Sequence, residues 1–163
     1  MVTVSTPGLA TSYMMPATGK KDCRYSPTNV WDGDTHTAWV PAAGTDGIGE
    51  SLIVPWPSGR RAKIWAGYGK SPELFRANNR PKLIRVYQLE MEGVANDNSF
   101  IVRNSTETTL RDFNGFQPLP LPPFFDGGDD VPGYGFAIEI LSVYPGTKYH
   151  DTPISEVRFD PGE

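Results

Sequence analysis

One short stretch near the N-terminus, residues 29–39, concentrates the groups in this sequence that could do chemistry. It reads NVWDGDTHTAW, with two aspartates, a histidine, two threonines and two tryptophans. The alternation of Asp32 and Asp34 imitates the start of a calcium-binding helix-loop-helix. That loop requires glycine at its sixth position and glutamate at its twelfth, where this chain has Thr37 and Ala43. The stretch is therefore not a loop of that class.

Two other interpretations of the same stretch follow from its residues. A zinc site would need ligands beyond His36 and His150, and the sequence places none beside them. A tight turn is the alternative, because the Asp-Gly-Asp sequence at 32–34 has the composition of a turn. Trp31 and Trp39 are large enough to anchor such a turn to the core.

Motifs of enzymes are missing elsewhere in the sequence. No serine stands in a G-x-S-x-G elbow. The GYGKS sequence at 67–71 resembles the end of a phosphate-binding loop, but Ile64 occupies the position of its first glycine. The 19 acidic residues allow many carboxylate pairs, so glycoside hydrolysis stays an open alternative. The balance of these observations predicts a protein that is not an enzyme.

The composition limits which partners the protein can bind and how many domains it contains. The 163 residues fit one domain, 1–163, and a 12% aromatic content is typical of a globular chain. A net charge of -4 argues against a surface for nucleic acid or anionic membrane. No apolar run approaches the roughly 20 residues of a membrane span. The single cysteine, Cys23, excludes an internal disulfide and leaves the compartment open.

The elements that must position these residues are short strands. Sixteen prolines and 17 glycines interrupt the chain, so long helices are not expected. In FAIEI, Phe136, Ile138 and Ile140 fall on one face, which is the period of a half-buried strand. Only SPELFRANN, residues 71–79, predicts a helical turn, with Ser71 as its cap. The strand segments are VTVS, ESLIVPW, AKIWAGY, LIRVYQLEM, SFIVR, ETTLRDF, FAIEILSVY and ISEVRF, and together they predict an all-β sandwich or barrel.

The segment PLPLPPFFDGGDD, residues 118–130, departs most from the average composition. A polyproline ligand is one interpretation. An edge strand that continues into a wide acidic loop is the other, and we favour it because proline is tolerated at sheet edges.

The order of several motifs resembles that of the discoidin-like domains, the coagulation factor type C and galactose-binding group. The motifs are YSPTNVWDGDTHTAWV, GIGE, GYGKSPELFRANNRPK and VYPGTKYHDTPISEVRF, and they span nearly the whole chain. Within the group, the sequence is most similar to the branch called the NADase-type glycan-binding domain. The resemblance implies a jelly-roll β-sandwich of about eight antiparallel strands with one short helical turn.

The resemblance also implies a structural calcium ion between the early acidic loop and the end of the chain. Its oxygen ligands would come from Asp32, Asp34, Thr37, the Val30 carbonyl and, from the C-terminal ISE motif, Glu156. Carboxylate, hydroxyl and carbonyl oxygens suit calcium, which takes six to eight such ligands. The alternative is that Glu156 accepts hydrogen bonds from the loop amides without a metal, or that it is exposed on its strand.

A glycan site would need aromatic faces for sugar rings and planar polar groups for their hydroxyls. Two clusters in the sequence supply both, WAGYGKSPELFRANNRPK and YPGTKYHD. In the alternative interpretation, the first cluster only closes the short helix and begins the next strand. The candidate ligand-binding residues are Trp65, Tyr68, Arg76, Asn78, Asn79, Arg80, Tyr149 and His150.

From these observations we predict a non-catalytic glycan-binding module that is one part of a larger surface or exported protein. Its partners would be cell-surface carbohydrate and other domains of the parent protein, without nucleic acid or membrane insertion. The resemblance implies an extracytoplasmic location. The alternative is a protein-interaction or spacer domain without a sugar pocket, in which Tyr68 and Asn78 are buried or bonded internally.

Overall fold

The fold consists almost entirely of antiparallel strands. A computed structural model describes residues 2–3, 10, 24–42, 44–55, 61–91, 99–123 and 134–160. The helical segments in these ranges are a 3-10 helix, Pro27–Trp31, and α1, Pro72–Ala77. The strands are β1 (Val2–Thr3), β2 (Ser51–Pro55), β3 (Arg61–Ala66), β4 (Arg80–Pro81), β5 (Leu83–Met91), β6 (Ser99–Thr109), β7 (Phe116–Leu119), β8 (Tyr134–Ile140), β9 (Val143–Tyr144) and β10 (Ile154–Asp160).

Two sheets pack face to face. The larger has the order β1-β6-β5-β8-β2, the smaller has the order β10-β3-β7, and β4 pairs with β9 in a separate ribbon. One core cluster joins the two sheets, with Val86 and Ile138 from the larger sheet and Ile64 and Val157 from the smaller. The rings of Phe136 and Phe159 also meet across the core, with centroids 5.3 Å apart. The predicted discoidin-like β-sandwich is confirmed.

Alternation along β8 determines which side of the larger sheet faces the core. Phe136, Ile138 and Ile140 are fully buried, while Glu139 between them is partly exposed on the outer face. The pairing register of β8 is strongly specified, because a shift of one residue would turn its apolar side chains from the core to the outer face. The predicted half-buried strand is confirmed.

The helical turn forms where its capping residues predicted it. Ser71 is the N-cap of α1, and its hydroxyl accepts a hydrogen bond from the Leu74 amide at 3.1 Å. Pro72 occupies the first helical position, where its lack of an amide hydrogen costs nothing. Phe75 is the buried residue of the helix.

Three of the predicted strand segments differ from the structure. FAIEILSVY predicted one strand, but the structure divides it between β8 and β9, which lie in different sheets. SFIVR and ETTLRDF predicted two strands, but β6 runs through Ser99–Thr109 as one strand. The intervening Asn104 has turn-like composition, yet its side chain bonds to the Ser105 amide and the Pro123 carbonyl, so the strand continues. The proline-rich segment begins in β7, an edge strand of the smaller sheet, as favoured from the sequence. Its part at 124–130 lies outside the described residues.

The strand register brings four loops to one end of the sandwich. The start of β2 pairs with the end of β8, and the start of β5 pairs with the end of β6. In the smaller sheet, the end of β3 pairs with the starts of both β7 and β10. The loops at this end are 24–50, 67–82, 110–115 and 141–153, and they contain almost all of the candidate site residues.

Candidate functional site at the loop end of the sandwich

The early acidic turn lies directly against the last strand. The Gly33 amide donates to Glu156 Oε1 at 3.3 Å, and Arg158 donates to the Gly33 carbonyl at 3.3 Å. Trp39 and Ile154 exchange two backbone hydrogen bonds of 2.9 Å beside this contact. The predicted meeting of the Asp32–Asp34 region with Glu156 is therefore confirmed, although 123 residues separate the two.

Local hydrogen bonds explain why the chain turns at this point. Ser26 caps the 3-10 helix, and Asp32 Oδ1 accepts the Asp34 amide at 2.8 Å. Gly33 between the two aspartates has a φ of 78°, which glycine adopts without strain. Trp39 is fully buried, as expected for an anchor. The matching expectation for Trp31 was wrong: its side chain is 36% exposed, because the helix directs it away from the core.

The Glu156 carboxylate is buried without enough partners. Only 2% of the residue is exposed, and Oε2 has no hydrogen-bond partner among the described residues. Burial, with a smaller contribution from the Asp32 charge, raises the pKa of Glu156 to about 7 against the opposing effects of the Gly33 amide and Arg158. Two carboxylates that repel each other, one with an unpaired buried oxygen, fit a divalent cation of the calcium type.

The remaining proposed calcium ligands have other partners in this geometry. Asp34 Oδ1 accepts the His36 amide at 2.9 Å, and this bond lowers the pKa of Asp34. The Thr37 hydroxyl donates to Asp32 Oδ2 and to the Asp34 carbonyl. Val30 is buried in the 3-10 helix beside β10. No group of three or more His, Cys, Asp or Glu side chains with metal-binding spacing occurs within the described ranges. Asp32 also accepts hydrogen bonds, from the Asp34 amide and the Thr37 hydroxyl, so Glu156 Oε2 is the oxygen of this set that has no partner among the described residues. Because the Asp32 charge acts on Glu156, these two carboxylates are the pair that could share an ion, with carbonyl or water oxygens completing its shell.

A groove of about 410 Å³ opens at the same end of the sandwich. Three loops contribute to it: the one before β2, the one that carries α1, and the one before β10. Three of the predicted ligand-binding residues, Tyr68, Asn78 and Tyr149, line it together. The full lining is Tyr25, Val40, Tyr68, Lys70, Leu74, Asn78, Tyr149 and Asp151.

Several polar groups of the groove are free to bind a ligand. In the described part of the chain, neither the Tyr68 hydroxyl nor the Asp151 carboxylate has a hydrogen-bond partner. Both residues are half-buried, and burial raises the pKa of each. A desolvated polar group gains more from a hydrogen bond than an exposed one does. A ligand that bonds to these groups would therefore relieve a desolvation cost.

The Asn78-Asn79-Arg80 motif, in contrast, makes its bonds within the protein. Asn79 is 2% exposed, and its side chain accepts the Gly146 amide at 2.7 Å and donates to the His150 carbonyl at 3.1 Å. Asn78 is buried and donates from Nδ2 to the Leu74 carbonyl at 2.9 Å. This motif ties α1 to the loop before β10.

Arg80 completes this internal network. Its guanidinium donates to both Asp112 oxygens, at 2.9 and 2.8 Å, and to the carbonyls of Asn78 and Pro145. The same group lies 5.3 Å from the centroid of the Phe75 ring. Arg80 thus joins the helix to two loops.

The other three predicted binding residues lie outside the groove lining. Trp65 is on the outer face of the smaller sheet, where its Nε1 donates to Asn114 at 3.1 Å and its ring meets Phe116 edge-on. Arg76 is exposed on α1. His150 directs its ring toward Asp46, 3.2 Å away. The predicted set is therefore divided among a groove, an internal network and the surrounding surface.

Sequence reasoning did not include four lining residues, Tyr25, Val40, Lys70 and Leu74, and it noted Asp151 without selecting it. Tyr25 comes from a segment more than 40 residues before Tyr68, so no local spacing could relate them. Lys70 stood inside the GYGKS motif, and its position between Tyr68 and α1 was the one signal that could have identified it.

Ser155 holds the loop that presents Tyr68. Its buried hydroxyl donates to the Gly67 carbonyl at 2.7 Å and accepts the Gly69 amide at 2.8 Å, so it bonds to the residue on each side of Tyr68. We expect Ser155→Ala to cost about 1–3 kcal/mol of unfolding free energy, because it leaves a buried amide and a buried carbonyl unpaired. Denaturant titration measures this loss, and an unchanged midpoint would contradict it. Ser105→Ala, at an exposed position of β6, is the control.

Two solved structures are similar to this chain, and the first of them agrees with the architecture. The chain is similar to part of the arabinofuranosyltransferase AftD from Mycobacteria, with 14% identity and a TM-score of 0.55 over 91% of this chain. It spans only 10% of that protein, so this likeness concerns the fold alone. An F5/8 type C domain from Bacteroides fragilis is 17% identical over 85% of this chain and 82% of its own, with a TM-score of 0.48. No curated protein matches the sequence.

A search of family profiles gives a match along nearly the whole chain. The matching family is described as the NAD glycohydrolase translocation F5/8 type C domain, and residues 9–160 are matched. F5/8 type C domains are generally binding or translocation domains rather than catalytic ones. No helix within the described ranges is long and apolar enough to cross a membrane. This protein belongs to the NAD glycohydrolase translocation F5/8 type C domain family.

Proposed function

We propose that this domain is a non-catalytic glycan-binding module and that the groove between its loops is the binding site. One observation carries the proposal. The Tyr68 hydroxyl and the Asp151 carboxylate are half-buried in a groove lined by tyrosines, and neither has a hydrogen-bond partner among the described residues. The domain would act as one part of a larger exported or surface protein. A calcium ion at Asp32 and Glu156 would have a structural role.

The chemistry of the groove suits a saccharide. Tyr25, Tyr68 and Tyr149 offer aromatic rings for the C–H face of a sugar, and each also has a hydroxyl. Lys70 donates hydrogen bonds and Asp151 accepts them, which matches the paired hydroxyls of a sugar. The volume of about 410 Å³ lies within the range of small-ligand sites.

The internal network next to the groove supports preorganisation of the site. Asn79 fixes the loop before β10, and Ser155 fixes the loop that carries Tyr68. Loops held in this way lose little conformational entropy when a ligand binds. The Asn78–Arg80 motif would therefore act as a support for the binding loops.

Tyr68→Ala tests the groove. We first select a glycan on an array. We expect wild-type protein to bind it with a dissociation constant on the order of 1 mM, which corresponds to a binding free energy of about 4 kcal/mol. The variant should bind at least roughly fivefold more weakly, because an aromatic contact is worth about 1 kcal/mol. Calorimetric titration measures both values.

Phe113→Ala is the matched control for this experiment. Phe113 is also an aromatic at the loop end, 45% exposed, but it is not part of the groove lining. Its substitution should leave affinity unchanged. If no saccharide binds, with or without calcium, the glycan function is wrong. Equal losses in both variants would refute the groove as the site.

The family description favours a second candidate function. In that alternative, the domain is a protein-interaction module that assists translocation of an attached NAD glycohydrolase. The internally bonded Asn78 and Asn79 are compatible with it, whereas the unpaired Tyr68 hydroxyl is not what it predicts. Deletion of the domain would then abolish delivery of the attached enzyme, while Tyr68→Ala would leave delivery intact.

A further inference from the structure

The backbone that carries Asp151 is anchored beside the groove. Its own carbonyl accepts the Asn79 amide at 2.9 Å. On one side of it, the His150 ring lies 3.2 Å from the Asp46 carboxylate, and on the other, the Thr152 hydroxyl donates to the Asp46 carbonyl. Both neighbours thus contact the same residue, Asp46, so the chain on each side of Asp151 is tied to the loop before β2.

The same carboxylate lacks a counter-charge. The structure shows no ion pair and no hydrogen bond to the Asp151 side chain from any described residue. Burial raises the pKa of Asp151, and the effect of His150 opposes this rise without cancelling it. Lys70 lines the same groove but is exposed and forms no ion pair with Asp151. A ligand cation would supply the missing charge in a place where water supplies it only in part.

Aromatic rings beside the carboxylate favour the same kind of ligand. Ammonium groups are attracted to the faces of tyrosine rings within about 6 Å of the centroid. One ring of the groove already has such a neighbour, because Lys148 Nζ lies 5.1 Å from the centroid of Tyr149. Tyr25 and Tyr68 have no cation over their ring faces among the described contacts, and the charge of Arg24 acts on the Tyr68 hydroxyl.

We propose that the groove selects a saccharide that carries a free, positively charged amino group, which pairs with Asp151 between the tyrosine rings. This inference rests on the proposed glycan-binding function and specifies its ligand class. It predicts discrimination between sugars that carry free amino groups and their N-acetylated counterparts. Asp151 would be the specificity-determining residue.

Two oligosaccharides of equal length test the proposal. A glucosamine tetramer and an N-acetylglucosamine tetramer have similar rings, but only the first has ammonium groups. We expect the glucosamine tetramer to bind about tenfold more tightly at pH 6, because it adds a charge-assisted bond and cation–π contacts. Asp151→Asn should reduce this preference to less than roughly twofold, since only the charge of the partner is removed.

Three further measurements test the same proposal. Lys70→Gln should strengthen binding of the glucosamine tetramer, because it removes a like charge from the groove; weaker binding would instead indicate an acidic ligand and overturn the proposal. Choline that binds as tightly as the tetramer would overturn the assignment to a sugar. Melting curves confirm that Asp151→Asn is folded, which is expected because the bond from the Asn79 amide goes to the backbone of Asp151.

The test separates failure of this inference from failure of the broader function. If neutral glycans bind the groove and the two tetramers do not differ, the inference is wrong and the glycan function stands. If no saccharide of any kind binds, both are wrong. A preference for the tetramer that survives Asp151→Asn would also overturn the role of this residue.

Discussion

Replacing Glu156 by glutamine is expected to stabilise the protein in EDTA and to remove its response to calcium. At pH 8 without metal, Glu156 is ionised in a buried site where Oε2 has no partner among the described residues and Asp32 repels it. Glutamine keeps the acceptor for the Gly33 amide and has no charge. We expect Glu156→Gln to be more stable in EDTA by up to about 3 kcal/mol, since each pKa unit corresponds to about 1.4 kcal/mol.

The stability of the wild type should depend on pH in a definite direction. The folded-state pKa of Glu156, about 7, lies above its ordinary value of 4.5. The folded protein therefore binds the proton more tightly than the unfolded chain, and stability falls as the pH rises from about 4.5 to 7. In EDTA the wild type should show this loss, and Glu156→Gln should lack it. Thermal melting at several pH values measures the difference, roughly 5–10 °C at the alkaline end.

In calcium, the wild type should become more stable than Glu156→Gln, the reverse of their order in EDTA. An ion held by Asp32 and Glu156 would neutralise both charges and bind only the folded state. It would add about 2.7 kcal/mol at a hundredfold excess over its dissociation constant. The glutamine variant loses one charged ligand and should gain little.

Glu73→Gln, at an exposed carboxylate on α1, is the control for charge alone and should behave as wild type. A wild-type melting curve that does not change between EDTA and calcium would refute the metal site. If calcium stabilises Glu156→Gln as much as the wild type, the ion binds elsewhere.

Asn79→Ala is expected to be among the most destabilising substitutions in the chain. The change leaves the Gly146 amide and the His150 carbonyl without partners in a partly buried region. A polar group left unpaired by burial costs about 1–3 kcal/mol, so we expect a total loss of about 3 kcal/mol for these two partly buried groups. For a chain of this size the melting temperature should fall by roughly 5–10 °C.

Asn104→Ala serves as the matched control for Asn79→Ala. Asn104 makes a similar bond to the Pro123 carbonyl, but it lies partly exposed on β6, where water can replace that bond. Its loss should stay within about 0.5–1.5 kcal/mol. If Asn79→Ala melts as the wild type does while glycan affinity falls, the motif contacts ligand and does not support the loops.

The hydrogen-bond partners of the candidate residues explain which parts of the site could be predicted from the sequence. The contact between the Asp32–Asp34 turn and Glu156 was expected, because the ordered motifs implied it. The composition of Asn78-Asn79-Arg80 suggested sugar recognition, since amide and guanidinium groups bind hydroxyls. The same groups bind backbone carbonyls equally well, and in the folded chain Asn79 and Arg80 do so. Residue type alone could not distinguish the two uses.

The sequence by itself determined several strand segments, the cap at Ser71, the buried face of β8 and the family to which the chain belongs. These features depend on local periodicity and on short motifs, which a sequence displays directly. Only the tertiary structure decided that Tyr25, Tyr68 and Asp151 share one groove and that β6 continues through Asn104. Those outcomes depend on contacts between segments far apart in the chain, and such contacts form only when the two sheets pack and bring four loops to the same end.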